Sequence, residues 1–170
     1  MSDVGAHKLW IDRMFPCYRP NTAIISNGFA AMGIAVPGAL AAKLVHPERR
    51  VVAATGDGGF AMNLQELETA VRERAPFVTL VFTDRRYGII EWTQQRRFGR
   101  SAFVEFGNPD LVQLAESFGA RGYRVETAAE LAPILRQALA DPVPAVVDCS
   151  IDYRENANLA RALGEPTDLS

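Results

Sequence analysis

Cysteine is scarce in this chain: Cys17 and Cys149 lie far apart, and neither belongs to a CxxC or Cys/His cluster. That spacing gives no sign of a disulfide framework or a thiolate metal site, and both residues read as small buried thiols in a reducing compartment. A charge excess of one sign is missing too, since 18 Lys and Arg against 20 Asp and Glu leave a net charge of -2. Such a balance offers no electrostatic footprint for nucleic acid or for a membrane surface. Long apolar runs are absent. The longest, from Phe29 to Ala42, is interrupted by Gly33, Pro37 and Gly38 and is too short to span a bilayer. The opening Met1-Ser-Asp-Val-Gly-Ala-His7 carries no apolar signal region. No internal repeat, low-complexity tract or interdomain linker is visible. The expectation is a cytoplasmic protein of one domain, residues 1–170, with 48% hydrophobic residues to fill a core.

What is present is an alternation of two periodicities. Short β-branched runs read as buried strands at Thr22-Ala-Ile-Ile25, Val51-Val-Ala-Ala-Thr55, Phe77-Val-Thr-Leu-Val-Phe82 and Ala145-Val-Val-Asp148. A weaker run lies at Gly122-Tyr-Arg-Val125. Between them are helical stripes: Leu64, Leu67 and Val71; Leu111, Leu114, Ala115 and Phe118; Leu131, Ile134, Leu135, Ala138 and Leu139. Thr127 with Glu130 has the spacing of a capping box, and Asn63 with Glu66 repeats it. Asn108-Pro109 reads as a cap followed by proline at the first helical position. Strands separated by helices imply right-handed crossovers. The expected fold class is therefore α/β, a three-layer domain with a mainly parallel sheet and helices on both faces.

In such sheets ligands sit outside the carboxyl ends of the strands. Two segments there are chemically unusual. Thr55-Gly-Asp-Gly-Gly-Phe60 follows a strand and precedes a helix expected to start at Asn63. Its glycines let backbone N–H groups approach an anion, yet Asp57 stands in their midst. A bare carboxylate beside a phosphate is repulsive unless a cation lies between them, and a hard oxygen-seeking ion such as Mg2+ fits best. The second segment, Thr83-Asp-Arg-Arg-Tyr-Gly88, ends the next strand, with Asp84 placed 27 positions after Asp57. One helix and one strand return the chain to the same sheet edge, about 5 Å to the side. Two carboxylates can then share one Mg2+, whose remaining positions suit water and a diphosphate.

Gly56-Asp57-Gly58 with Asp84 at that interval resembles the metal motif of thiamine diphosphate (ThDP) enzymes. In that family the Asp, a second Asn or Asp, and a main-chain carbonyl two residues later bind the metal. Carried over, the ligands are Asp57, Asp84 and the carbonyl of Arg86. Most relatives read Asn-Asn where this chain has Thr83-Asp84, and Asp in the second position is similar to the catabolic, flavin-independent acetolactate synthases. The resemblance extends cofactor contact to Gly56, Gly58, Gly59, Tyr87 and Gly88. Ser2-Asp-Val-Gly-Ala-His7 looks like the loop lying against the diphosphate, which adds Gly5 and His7. Ile25-Ser-Asn-Gly-Phe-Ala-Ala-Met-Gly33 looks like the loop that wedges the cofactor into its V shape, which adds Ala30 and Met32. The segments 98–106, 114–119 and 148–156 also read like acetolactate synthase.

The resemblance implies a carboligation, in which pyruvate is decarboxylated and its hydroxyethyl group joins a second 2-oxo acid. The cofactor is the electron sink and the protein supplies shape and surroundings. The activating glutamate of the family belongs to a pyrimidine-binding domain from another chain or subunit, so no catalytic residue is assigned here. The chain is expected to be inactive alone: the C-terminal, diphosphate-binding third of a homo-oligomeric enzyme, with pyrimidine-binding and middle domains absent. Its polar tail, residues 151–170, folds over the active site in relatives and reads as disordered here. Three rival readings remain: another ThDP-dependent 2-oxo acid decarboxylase, a non-catalytic assembly or regulatory module, and a Rossmann domain. The last rests on the GxGxxA match from Gly56 to Ala61, with Asp84 standing 23 residues later. Elsewhere, Trp92 reads as a packing residue, with a place along the substrate channel as the alternative by resemblance; Arg96, Arg97 and Arg100 read as a solvated face, with contact to a substrate carboxylate as the alternative; His46 reads as a surface residue and 99–107 as a mobile loop.

Overall fold

Ala145, Val146 and Val147 are all buried, which a strand achieves only when both of its faces are covered. They belong to the last of four strands in a computed structural model that describes residues 1–156 and Asn158. In chain order the elements are α1 (Ala6–Met14), α2 (Ala35–Val45), β1 (Val52–Gly56), α3 (Asp57–Asn63) and α4 (Glu66–Arg72). There follow β2 (Val78–Thr83), α5 (Gly88–Phe98), α6 (Leu111–Ser117), β3 (Arg121–Val125), α7 (Ala128–Ala138) and β4 (Ala145–Ser150). The sheet order is β1-β2-β4-β3 and every pairing is parallel. Side chains alternate between two cores, as the two-residue period of a strand requires. On one face Ala53, Val81 and Val146 pack with Ala39 of α2, Leu67 of α4 and Ala115 of α6. On the other, Val78, Val147 and Cys149 pack with the Leu131, Ile134 and Leu135 stripe of α7. The α/β class, the parallel sheet and the three layers are as the sequence predicts.

Several local expectations fail. The run 22–25 is no strand: Ile25 makes a single bridge to Ser2, and Ile24 is 51% exposed, so one side of this segment faces solvent. Ser2 in turn bridges Ala54, with the Asp3 amide donating to the Ala54 carbonyl at 2.8 Å, which extends the β1 edge by isolated contacts. Asn63 does not cap a helix. It ends α3, whose first residue is Asp57 itself, and its amide donates to the Gly33 carbonyl at 2.9 Å. Asn108 is not a cap either. Asp110 takes that position in α6, accepting from the Val112 and Gln113 amides at 3.0 and 3.1 Å. The Thr127–Glu130 capping box forms as expected. Cys17 is exposed in the loop after α1, contrary to its reading as a buried thiol, whereas Cys149 is buried. Of the tail, residues 151–156 are folded back, with Asn156 buried and accepting from the Trp10 indole at 2.6 Å. The rest of the tail reading, at 157 and 159–170, lies outside the described residues. Among the described residues no helix is long and apolar enough to cross a membrane.

Candidate cofactor and metal site

Parallel pairing in register sets Gly56 opposite Phe82, so the chain leaves β1 and β2 at the same edge of the sheet. Asp57 follows the first strand directly and is 3% exposed. Its Oδ1 accepts from the Gly58 amide at 2.9 Å, and its Oδ2 from the Arg85 amide and Asn108 Nδ2, both at 2.7 Å. The Arg85 amide belongs to a residue in the left-handed region, φ 59°, a conformation that L side chains adopt only under constraint. Asp84 follows β2, and its Oδ1 accepts from the Arg86 amide at 3.2 Å. Burial, and then the negative charge of Asp57, push the Asp84 carboxyl up to about 6. Two carboxylates on neighbouring strand ends thus raise each other's free energy, which a shared cation would relieve. Gly88 closes the site. A Cβ there would stand 2.9 Å from Asp84 Oδ2 and 3.4 Å from the Tyr153 ring, so any side chain would displace one of them. Tyr153 is pushed upward by burial and by the charges of Asp84 and Asp57.

The other wall comes from the N-terminal segment. His7 is buried, its ring stacks on Phe82 at 5.4 Å, and its Nε2 has no hydrogen-bond partner among the described residues. Burial lowers its pKa to about 4 against the pull of the Asp3 carboxylate, so the imidazole is neutral at pH 7. An unpaired buried imidazole nitrogen is costly to leave empty and marks a place for a polar ligand. Asp3 is fully buried and accepts from the Val4, Gly33 and Ala35 amides at 2.7, 2.9 and 3.0 Å. It therefore fixes the backbone immediately after Met32 and the start of α2. Of the residues assigned to cofactor binding from sequence, all except Ala30 line one cavity of about 30 Å³, and Arg86 joins them. Ala30 lies outside it, at φ 54° in the preceding loop. Asp84, Arg86, Gly88 and Tyr153 also line an adjoining groove of about 990 Å³, along which Trp92 stands half-buried with Arg96 over its ring at 5.0 Å. Trp92 thus lines this groove, the alternative to packing, while its ring also packs against Arg96.

A run of polar contacts ties the two carboxylates together from behind. Asn108 holds Asp57; two residues on, Asp110 pairs with Arg124 at 3.1 Å; Arg124 reaches Asp148 at 3.3 Å; and Thr83, next to Asp84, donates to Asp148 at 2.7 Å. The segment expected to be mobile, 99–107, is bound to the same turn. Arg86 bridges Glu105, the Tyr87 amide donates to Val104 at 2.9 Å, and the Phe106 amide donates to Arg85 at 3.1 Å. The Tyr87 and Phe106 rings lie 4.8 Å apart, and the Tyr87 ring passes so close to Gly58 that a Cβ there would meet it at 2.9 Å. Among the described residues no group of three or more His, Cys, Asp and Glu side chains could hold a metal. A metal here would rest on two carboxylates and complete its shell with carbonyl, water or ligand oxygens, which is the habit of Mg2+.

A family model for the thiamine pyrophosphate enzyme C-terminal TPP-binding domain matches residues 3–149. The chain belongs to this family. Thiamine pyrophosphate is the same cofactor as ThDP, so the domain is a ThDP-binding one. Over 158 residues the chain is 46% identical to acetolactate synthase of Bacillus subtilis (strain 168), covering 93% of this chain and 28% of that protein. Over 154 residues it is 43% identical to the catabolic acetolactate synthase of Raoultella terrigena, covering 91% of this chain and 28% of that protein. A solved structure of the Rhodococcus jostii RHA1 thiamine diphosphate-dependent 4-hydroxybenzoylformate decarboxylase superposes with a TM-score of 0.65 at 27% identity. That match covers 71% of this chain and 24% of the decarboxylase chain. The chain therefore spans about a quarter of the length of these relatives, 24–28%. The Rossmann reading falls with the family assignment. The Gly58 amide, which a dinucleotide turn would offer to a pyrophosphate, is taken by Asp57.

Within this ThDP-binding domain the sequence reading missed Asp3, Asn108, Asp148 and Tyr153. All four lie in segments read for another reason, Asn108 as a cap and Asp148 as the end of a strand among them, and nothing in their local spacing marks a long-range role. Asp84 supplies a test by pH. Its folded pKa, about 6, lies above its ordinary value of 3.8, so the native state holds the extra proton. Stability of the metal-free domain then falls as pH rises between those values, and the penalty is complete above about 6. Asp84→Asn is expected to melt higher than wild type at pH 7.5 without metal, with the advantage fading towards pH 4. Thermal melts in a chelator measure it, and an advantage independent of pH would refute the coupling.

Proposed function

We propose that this domain holds the diphosphate end of ThDP through a Mg2+ bound by Asp57, Asp84 and the carbonyl of Arg86, as part of an acetolactate synthase-like enzyme. The observation that carries the reading is the buried Asp57 beside Asp84, whose proton affinity is raised by burial and then by that neighbour. The residues fit the group. Among the described residues no cation pairs with either carboxylate, the missing side chains of Gly58 and Gly88 let the Tyr87 ring and Asp84 close in on the turn, and His7 Nε2 is a polar atom on the cavity wall with no partner among those residues. ThDP supplies an electron sink for decarboxylating pyruvate and passing its two-carbon unit to a second 2-oxo acid. This chain's residues bind and orient. Asp57 is clamped by its three donors, the Asp3 clamp fixes the backbone beside Met32, and His7 would meet a bound group as a neutral ring on the cavity wall.

No residue of this chain is assigned as a proton-transferring catalyst. The cavity of about 30 Å³ admits a water or an ion but not an organic cofactor. A site finished by a pyrimidine-binding domain, from another chain or subunit, fits that geometry, and the exposed Phe15, Tyr18 and Phe29 supply apolar surface for such a neighbour. The 43–46% identity to acetolactate synthases favours carboligation over simple decarboxylation. Calorimetric titration with ThDP, with and without Mg2+ and with NADH as control, tests the reading. Mg2+-dependent heat for ThDP and none for NADH supports it, and binding indifferent to Mg2+ refutes the metal assignment.

A further inference from the structure

A carboxylate that must hold a divalent ion has two torsions to restrain, and backbone donors restrain only the side they reach. Asp57 Oδ1 keeps a single amide donor, from Gly58, while Oδ2 takes two, the Arg85 amide and Asn108 Nδ2. Asn108 comes from a part of the chain 51 residues away and is itself half-buried. Its position is fixed on both sides. Phe106 hydrogen-bonds to the Arg85 carbonyl, and Asp110 caps α6 and pairs with Arg124. The Asn108 side chain caps no helix, so its contact with Asp57 has to be explained by what it does to that carboxylate.

We propose that Asn108 is a positioning residue, saturating Asp57 Oδ2 so that Oδ1 is presented to the metal in one orientation. The inference rests on the Mg2+ reading above. Mg2+ demands near-ideal octahedral geometry at short distances, whereas Ca2+ accepts six to eight oxygens in irregular arrangements. A carboxylate freed to swing therefore loses Mg2+ more than Ca2+. General loosening of the turn would weaken both ions alike, so comparing them separates positioning from a merely structural role.

The test titrates Mg2+ and, separately, Ca2+ into the complete protein with ThDP present, for wild type, Asn108→Ala and Asn108→Leu. Leucine keeps the volume and removes the donor, which covers the case in which alanine fails to fold. The dissociation constant for Mg2+ is expected to rise about tenfold in both variants, in keeping with loss of a hydrogen bond to a charged group. That for Ca2+ should change less than about threefold. Wild type that binds Mg2+ alongside variants that bind it within about twofold would overturn the proposal and leave the metal reading standing. Equal losses for the two ions would overturn it as well. Wild type with no Mg2+-dependent binding would overturn the metal reading itself, and this inference with it.

Discussion

Asp57→Ala is expected to abolish Mg2+-dependent ThDP binding, weakening it more than about a hundredfold, while Asp84→Asn weakens it about tenfold or less. The asymmetry follows from what each change leaves behind. On the proposed reading, alanine at position 57 removes a metal oxygen, and it strands the Arg85 amide and Asn108 Nδ2, both now at 2.7 Å from that carboxylate. Loss of groups that merely orient a ligand already weakens metal binding about 10–100-fold, so loss of the ligand itself exceeds that range. Asparagine at 84 keeps a coordinating oxygen and removes the like charge that raises the free energy of the empty pair. Calorimetry of both variants, with circular dichroism to confirm the fold, measures the difference. A folded Asp57→Ala protein that binds ThDP and Mg2+ like wild type would show that the metal has been placed wrongly.

Asp3→Ala is expected to lower stability by about 3–5 kcal/mol, the sum of about 1–3 kcal/mol for each amide left without an acceptor. Asp3 is fully buried, and its two oxygens serve the amides of Val4, Gly33 and Ala35. Alanine leaves those amides without an acceptor, and each buried orphan costs about 1–3 kcal/mol. Gly59 makes room for the clamp, since a Cβ there would lie 3.1 Å from the Asp3 carboxylate. Asp3→Asn, which keeps one acceptor oxygen, should fall between wild type and Asp3→Ala. Urea denaturation resolves the series, and a loss below about 1 kcal/mol for Asp3→Ala would mean the clamp is dispensable.

The sheet was legible because β2 and β4 are buried on both faces, which leaves continuous β-branched runs with no polar alternation to confuse them. The pairing of Asp57 with Asp84 on adjacent strand ends was legible for a related reason, since one helix and one strand occupy a nearly fixed length of chain. Capping was less so. Asn108 and Asp110 both satisfy the local spacing rule, and only the fold decides that Asp110 caps while Asn108 reaches across to Asp57. Asn63 shows the same ambiguity, its amide being recruited by Gly33. At 22–25 the β-branched composition suggested a strand, but composition cannot say whether a full-length neighbour is available, and here only Ser2 is. Tyr153 and Asn156 looked like polar tail because their partners, the Gly88 turn and Trp10, are remote in sequence.

The isolated bridges at Ser2 give the site walls of unequal permanence. Asp57 and Asp84 stand on β1 and β2, which pair along five consecutive positions and are backed by β4. Gly5, His7 and Met32 hang from an edge joined to β1 through a short run of backbone pairing at residues 1–3 and the Asp3 clamp. Local opening begins where backbone pairing is thinnest. It would carry those three contacts away together and leave the carboxylate pair in place. A ligand touching both walls gains from their union and so fastens the edge to the sheet, with a grip that grows as the logarithm of its concentration. The cofactor would then serve this domain as a clasp as well as a reagent.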